Sequence, residues 1–220
     1  MKKIFMYIGT AGLLFACSPK EQKENSSDNF KYLVDEFADL KVMRYQIPEW
    51  DSLSLQQKEY IYCLGEAAKY GRDIIWDQHF KHNLTIRKTL ESILNTYSGD
   101  KTAADYENFV VYAKRAFFSN GIHHHYASDK FQPEFSQDWF VNACTEAGVT
   151  YDEAILPVIF DPTVMPKSLS LEGEDLLLAS ANNYYEGVTQ KEAEAYYEAH
   201  KDNSAEPLWI GLNSKLVKEN

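Results

Sequence analysis

Six histidines and three cysteines are the side chains here best suited to hold a metal or act as nucleophiles. His123, His124 and His125 run together just after Gly121-Ile122. Adjacent side chains of an extended chain point to opposite faces, so His123 and His125 are the pair that could share a ligand. The triplet admits a transition-metal site, a loop lining a cleft, or a plain exposed turn. His79-Phe-Lys-His82 has the i, i+3 spacing that can set two imidazoles on one helical face. Zinc normally takes at least three protein ligands and an outer shell of hydrogen-bond partners, and no acidic third ligand is obvious here.

The familiar catalytic motifs are missing. No histidine is followed by glutamate, so the H-E-x-x-H signature lacks its first step. No G-x-S-x-G presents a serine, and no P-loop or G-x-G-x-x-G cradles phosphate. Cys63 and Cys144 fall on apolar faces of helical patterns, where packing explains a thiol better than nucleophilic chemistry does. They read as two buried free thiols or, outside the cytoplasm, as a pair. Arg72, Asp73 and Asp77 surround Ile74-Ile75-Trp76 and read as a structural ion pair. The residues by themselves form no catalytic constellation.

These side chains need elements to position them. Ser54-Leu-Gln-Gln57 is a capping box that opens a helix carrying Ile61, Leu64 and Ala68 to about Tyr70. Leu90, Ile93, Leu94 and Tyr97 mark one face of a second helix, which stops at Ser98-Gly99. Tyr106, Phe109, Val110, Ala113 and Phe117 mark a third, ended by Asn120-Gly121. A fourth begins near Ser136, buries Trp139, Phe140 and Ala143, and ends at Gly148. Thr150-Tyr-Asp-Glu153 predicts the start of a fifth that Pro157 kinks or ends, and Thr189-Gln-Lys-Glu192 a sixth with Ala193, Tyr196 and Tyr197 inward. Lys41–Ile47 and Leu208–Val217 read as strands, each the other's only available partner. The fold class expected is mainly α (α+β): a multi-helical lobe with a few strands and an incomplete β-core.

The chain has 220 residues, 45% of them hydrophobic, and 22 basic against 33 acidic side chains, for a net charge of −11. That composition is globular, and without a basic stripe to neutralise phosphates it excludes nucleic acid as a partner. Three cysteines do not make a disulfide framework. Met1-Lys2-Lys3 precedes the apolar run Ile4–Ala16, which is shorter than the ~20 residues a transmembrane helix needs. Residues 1–16 therefore read as a signal peptide. Leu14-Phe15-Ala16-Cys17 resembles the lipobox of bacterial lipoproteins, in which the cysteine is lipidated; the alternative is an ordinary signal with a chance cysteine. A lipidated Cys17 would anchor the chain in the cell envelope, on the periplasmic side or at the outer-membrane surface. Residues 17–29 are almost wholly polar and read as a flexible tether, leaving 30–220 as the globular part.

Several stretches together resemble one family. They are Phe37–Pro48, Gly71–Gln78, Asn83–Leu90, Phe118–Tyr126, Asp161–Pro166, Gly173–Leu176 continuing through Asn183–Thr189, and Gly211–Val217. In order and in content they are similar to the amino-terminal part of Bacteroidetes members of the dipeptidyl-peptidase III family of zinc metallopeptidases. The resemblance implies a two-lobed enzyme that removes dipeptides from the amino termini of peptides in the cleft between its lobes. Its zinc would be held by an H-E-x-x-x-H motif and a later glutamate, with the motif glutamate as general base for a zinc-activated water. Both motifs lie downstream of anything in this sequence, so no catalytic or metal residue carries over. Two readings follow. In the first, the chain is the amino-terminal lobe of such a peptidase, with the catalytic lobe and a peptide as partners, and is inactive alone. In the second it is a stand-alone, non-catalytic surface lipoprotein that serves as a binding module. The first predicts an exposed apolar patch, the second a polar face where the other lobe would pack. The substrate-cleft candidates are Asn120, His123, His125 and Tyr126, in the loop whose imidazoles and phenol could line a cleft.

Overall fold

The computed structural model describes residues 30–168, 175–201 and 215–219. The signal segment 1–16, Cys17, the rest of the tether and residues 208–214 of the expected final strand lie outside the described residues.

The chain begins with a hairpin. Strand β1 (Leu33–Phe37) pairs antiparallel with β2 (Leu40–Met43), Phe37 opposite Leu40, and Ala38 takes the left-handed conformation in the turn. The segment expected to await the final strand is therefore already paired with its immediate predecessor. A short turn closes at far less entropic cost than a pairing across most of the chain.

Helix α1 (Leu55–Tyr70) opens on the expected capping box: the Gln57 N–H donates to Ser54 Oγ at 3.3 Å, and the Ser54 N–H donates to Gln57 Oε1 at 2.9 Å. The helix buries nothing. Ile61 and Leu64, predicted to face a core, are exposed, and so is Cys63, which is free. The cap and the helical spacing are local properties. What the apolar stripe covers depends on a neighbour, and among the described residues none buries it.

Helix α2 (Arg72–His79) and α3 (Asn83–Thr96) are separate, because Phe80 leaves the helix at φ −169° to drive its ring fully into the core. His79 and His82 thus sit on different elements, and the common helical face expected of them does not form. The buried face of α3 carries Ile86, Leu90 and Ile93, with Tyr97 just beyond. Helix α4 (Ala104–Ser119) buries Phe109, Tyr112, Ala113 and Ala116, and Asn120 ends it in the left-handed conformation at φ 55°. Helix α5 (Gln137–Glu146) is capped by Ser136, whose Oγ accepts from the Trp139 N–H at 3.1 Å, and buries Phe140, Ala143 and Cys144.

The fifth predicted helix is corrected. The Thr150 capping box is not used; the Ala154 N–H donates instead to Asp152 Oδ1 at 2.9 Å, and helix α6 runs Ile155–Phe160. Pro157 falls within its first turn, where a missing N–H breaks no helical bond, so it neither kinks nor ends the helix. Rings of Phe109, Phe135, Phe140 and Phe160 stack and meet edge-on between α4, α5 and α6.

The rest of the described chain is sparser. Helix α7 (Leu176–Ala179) precedes β3 (Tyr185–Glu186), and α8 (Gln190–Ala199) opens on the expected Thr189/Glu192 capping box. Ala193 is buried and Tyr197 half-buried, but Tyr196 is exposed and stacks on His200 instead of facing inward. Strand β4 (Leu216–Val217) pairs in parallel with β3. The fold is mainly α with a few strands, in two small sheets. No helix among the described residues is long and apolar enough to cross a membrane.

Candidate functional site

Where α4 ends, the chain turns into a loop that doubles back on itself. The Phe131 N–H donates to the Ile122 carbonyl at 2.9 Å and the His124 N–H to the Asp129 carbonyl at 2.7 Å, so residues 122–131 form a closed finger. Two side chains staple it to the turn 161–165. His123 Nε2 donates to the Met165 carbonyl at 3.0 Å, and Lys130 Nζ donates to the carbonyls of Asp161 (2.6 Å) and Val164 (2.8 Å).

The base of the finger rests on Asn83. Its side chain is wholly buried; Nδ2 donates to the Trp76 carbonyl at 3.2 Å and Oδ1 accepts from the Ile122 N–H at 3.4 Å. Gly121 lies so close to this amide that a Cβ there would collide with it. A larger residue would push Asn83 off both partners.

Between finger, α2 and α4 lies a recess with about 30 Å³ of free space, lined by His79, Asn83, Ser119, Gly121, His123, His124, His125 and Lys167. That is room for a few water-sized groups. Of the four cleft candidates, the structure brings His123 and His125 together on this recess. Asn120 serves as the end cap of α4 and is not part of the wall. Tyr126 is 86% exposed and does not line the recess, and its ring centre lies 4.4 Å from that of His125. His124, set aside because neighbours in an extended chain diverge, also lines the recess. The segment is a tight loop, and the rings of His124 and His125 stack at 4.4 Å between centroids.

Hydrogen bonds settle much of the protonation. His124 Nδ1 accepts from the N–H groups of Tyr126 (3.2 Å) and Ala127 (3.0 Å), so the neutral ring carries its hydrogen on Nε2. His123, 6% exposed, has its pKa pushed down to about 4. Burial is the main cause, the Met165 carbonyl partly opposes it, and the nearby charges of Lys167, Lys130 and His79 reinforce it. His125 Nδ1 lies 3.2 Å from the buried Ser119 Oγ.

This donor set does not suit zinc. His124 accepts backbone N–H groups at Nδ1 and so carries a hydrogen on the nitrogen left to bind, the charged neighbours are ammonium groups, and no carboxylate or thiolate lines the recess. Among the described residues no three of His, Cys, Asp and Glu stand close enough to hold a metal ion. Elsewhere, Arg72 and Asp73 form the expected ion pair at 3.8 Å, Asp77 makes none among the described residues, and the main partner of Asp73 is a residue that spacing did not single out. Arg87, almost fully buried, bonds Asp73 and, at 2.9 Å, Glu91, while its guanidinium lies 5.7 Å from the Trp76 ring centre. The buried Cys144 thiol has its pKa pushed up to about 11 by desolvation, which suits packing and not attack.

Residues that sequence reasoning missed are Asn83, Ser119 and Lys167. Nothing in their local spacing marks them; only the fold carries the 161–168 segment up to the finger. No protein-family model matches the chain, and no curated protein matches it.

Proposed function

We propose that this chain is the amino-terminal lobe of an envelope-anchored zinc dipeptidyl peptidase of the dipeptidyl-peptidase III type, inactive until a catalytic lobe covers it. One observation carries the reading: large apolar side chains stand exposed on α1, α2 and the hairpin, beside a helical core that is well packed. Leu55, Ile61 and Leu64 on α1, Ile74 and Ile75 on α2, and Val34, Met43 and Ile47 around the hairpin are all exposed. Apolar side chains exposed in such number suit a surface that another body covers. A free-standing binding module would be expected to turn polar residues outward there. The order of the similar segments supports a peptidase catalytic lobe as that body, and the lipobox-like Leu14–Cys17 supports a lipid anchor.

In this reading zinc, its ligands and the general base all come from the catalytic lobe, and the present chain helps shape the cleft that holds the peptide. The deciding experiment is to sequence the source DNA beyond the codon for Asn220. An in-frame continuation carrying H-E-x-x-x-H supports the lobe reading; a stop with no such continuation nearby transfers the case to a non-catalytic lipoprotein. Purified chain alone is expected to release no dipeptides from peptide substrates. Release that a chelator abolishes and added zinc restores would overturn the proposal.

A further inference from the structure

The recess at the foot of the finger is built for a charge opposite to that of a metal. Its lining holds four imidazoles, one ammonium, one amide and one hydroxyl, and no carboxylate. In a chain with 33 acidic and 22 basic side chains, a basic cluster free of acids departs from the general composition. Lys167 sharpens the point. It is half-buried at the recess, where no carboxylate is among the lining side chains, and makes no ion pair among the described residues.

The walls are also rigid. Asn83, Ser119 and His123 are buried, and the staples to Met165, Asp161 and Val164 hold finger and turn together. His79 and His125 are exposed and mark the side open to solvent. We propose that the recess binds a carboxylate group, with the Lys167 ammonium and the Nε2–H of His124 as its principal donors. A charge-assisted hydrogen bond to a carboxylate is about twice as strong as a neutral one, and the surrounding low dielectric strengthens it further. Ser119 Oγ and the His125 ring stand ready as secondary contacts. The inference concerns the folded lobe itself and holds whether or not a catalytic lobe accompanies it.

The test is a titration of the full chain, labelled with nitrogen-15 in histidine, with sodium acetate at neutral pH against sodium chloride at matched ionic strength. Saturable shifts of the His124 and His125 ring signals with acetate, absent with chloride, are expected. Lys167→Met should weaken acetate binding at least about tenfold, the loss of one charge-assisted bond. His79→Gln, at an exposed position, gives a second reading should the first variant melt early, with a smaller loss expected. Shifts that only track ionic strength, or that are the same in both variants as in the parent chain, would overturn the proposal. Saturation by inorganic phosphate but not by acetate would overturn the carboxylate assignment in favour of a tetrahedral oxyanion.

Discussion

Helices α1 and α4 have similar length and both carry apolar residues at helical spacing, yet one buries five side chains and the other none. Helix α4 lies among α3, α5 and the finger, and its Phe109 meets Phe135, Trp139 and Phe140. Helix α1 offers Leu55, Ile61 and Leu64 to solvent. The hairpin resembles α1 more than α4: it is held to the helical body by charged contacts, Lys114 to Asp35 at 2.7 Å and Arg115 to Asp39 at 3.0 Å, with the Lys114 ammonium 5.4 Å from the Phe37 ring centre. Exposed and half-exposed ion pairs each contribute about 0–1 kcal/mol. An amphipathic pattern thus states that a surface is to be covered without stating what covers it, and here the covered and uncovered halves belong to one chain.

Substitutions can break or sharpen that contrast. Phe140→Ala, in the packed half, should cost about 3–5 kcal/mol in urea unfolding, since it removes a fully buried ring from the aromatic cluster. A cost near zero would mean that this core is not what holds the fold together. Gly121→Ala should cost on the order of 2 kcal/mol, read as a lower melting temperature, because Asn83 must leave the Trp76 carbonyl and the Ile122 N–H.

The third concerns acid. His123 titrates near 4 in the folded chain against an ordinary value of 6.5. Between those values the unfolded chain binds a proton that the folded chain refuses, so its contribution is intact above 6.5 and is lost as pH falls towards 4. The expected loss is about 3 kcal/mol, and His123→Gln should flatten the stability profile over that window. A profile unchanged by the substitution would remove His123 as the acid-sensitive group of the finger. The smallest effect is expected in the open half. Ile61→Ser with Leu64→Ser should change the stability of the chain by no more than ~0.5 kcal/mol while reducing its self-association. A loss of several kcal/mol would show that α1 is packed in solution after all.

Much of the helical body was legible because its signals are short-range. The Ser54 and Thr189 capping boxes, the Ser136 cap, the stop at Asn120 and the buried stripes of α3, α4 and α5 all depend on residues within a turn or two of one another. Where a neighbour decides, reading by spacing failed. Phe80 is pulled out of a continuous helix by the space the core offers it, which separates His79 from His82. The start of α6 moves to Ile155, where the buried Ile155, Val158 and Ile159 face inward. The recess was legible only in part. The histidine triplet stood out by composition, but His123 and its partner Met165 are 42 positions apart, and Lys167 lies further still.

By itself, then, the amino-acid sequence determined that this is a mainly helical, acidic protein, where several of its helices begin or end, and which loop carries imidazoles. Those properties follow from capping groups, side-chain period and composition, all of which act within a few residues. The tertiary structure decided which apolar stripes are covered, that the hairpin closes on itself, and that three consecutive histidines share one recess with a distant lysine. Burial, long-range hydrogen bonds and desolvation depend on what the folded chain brings alongside, and no local pattern encodes that.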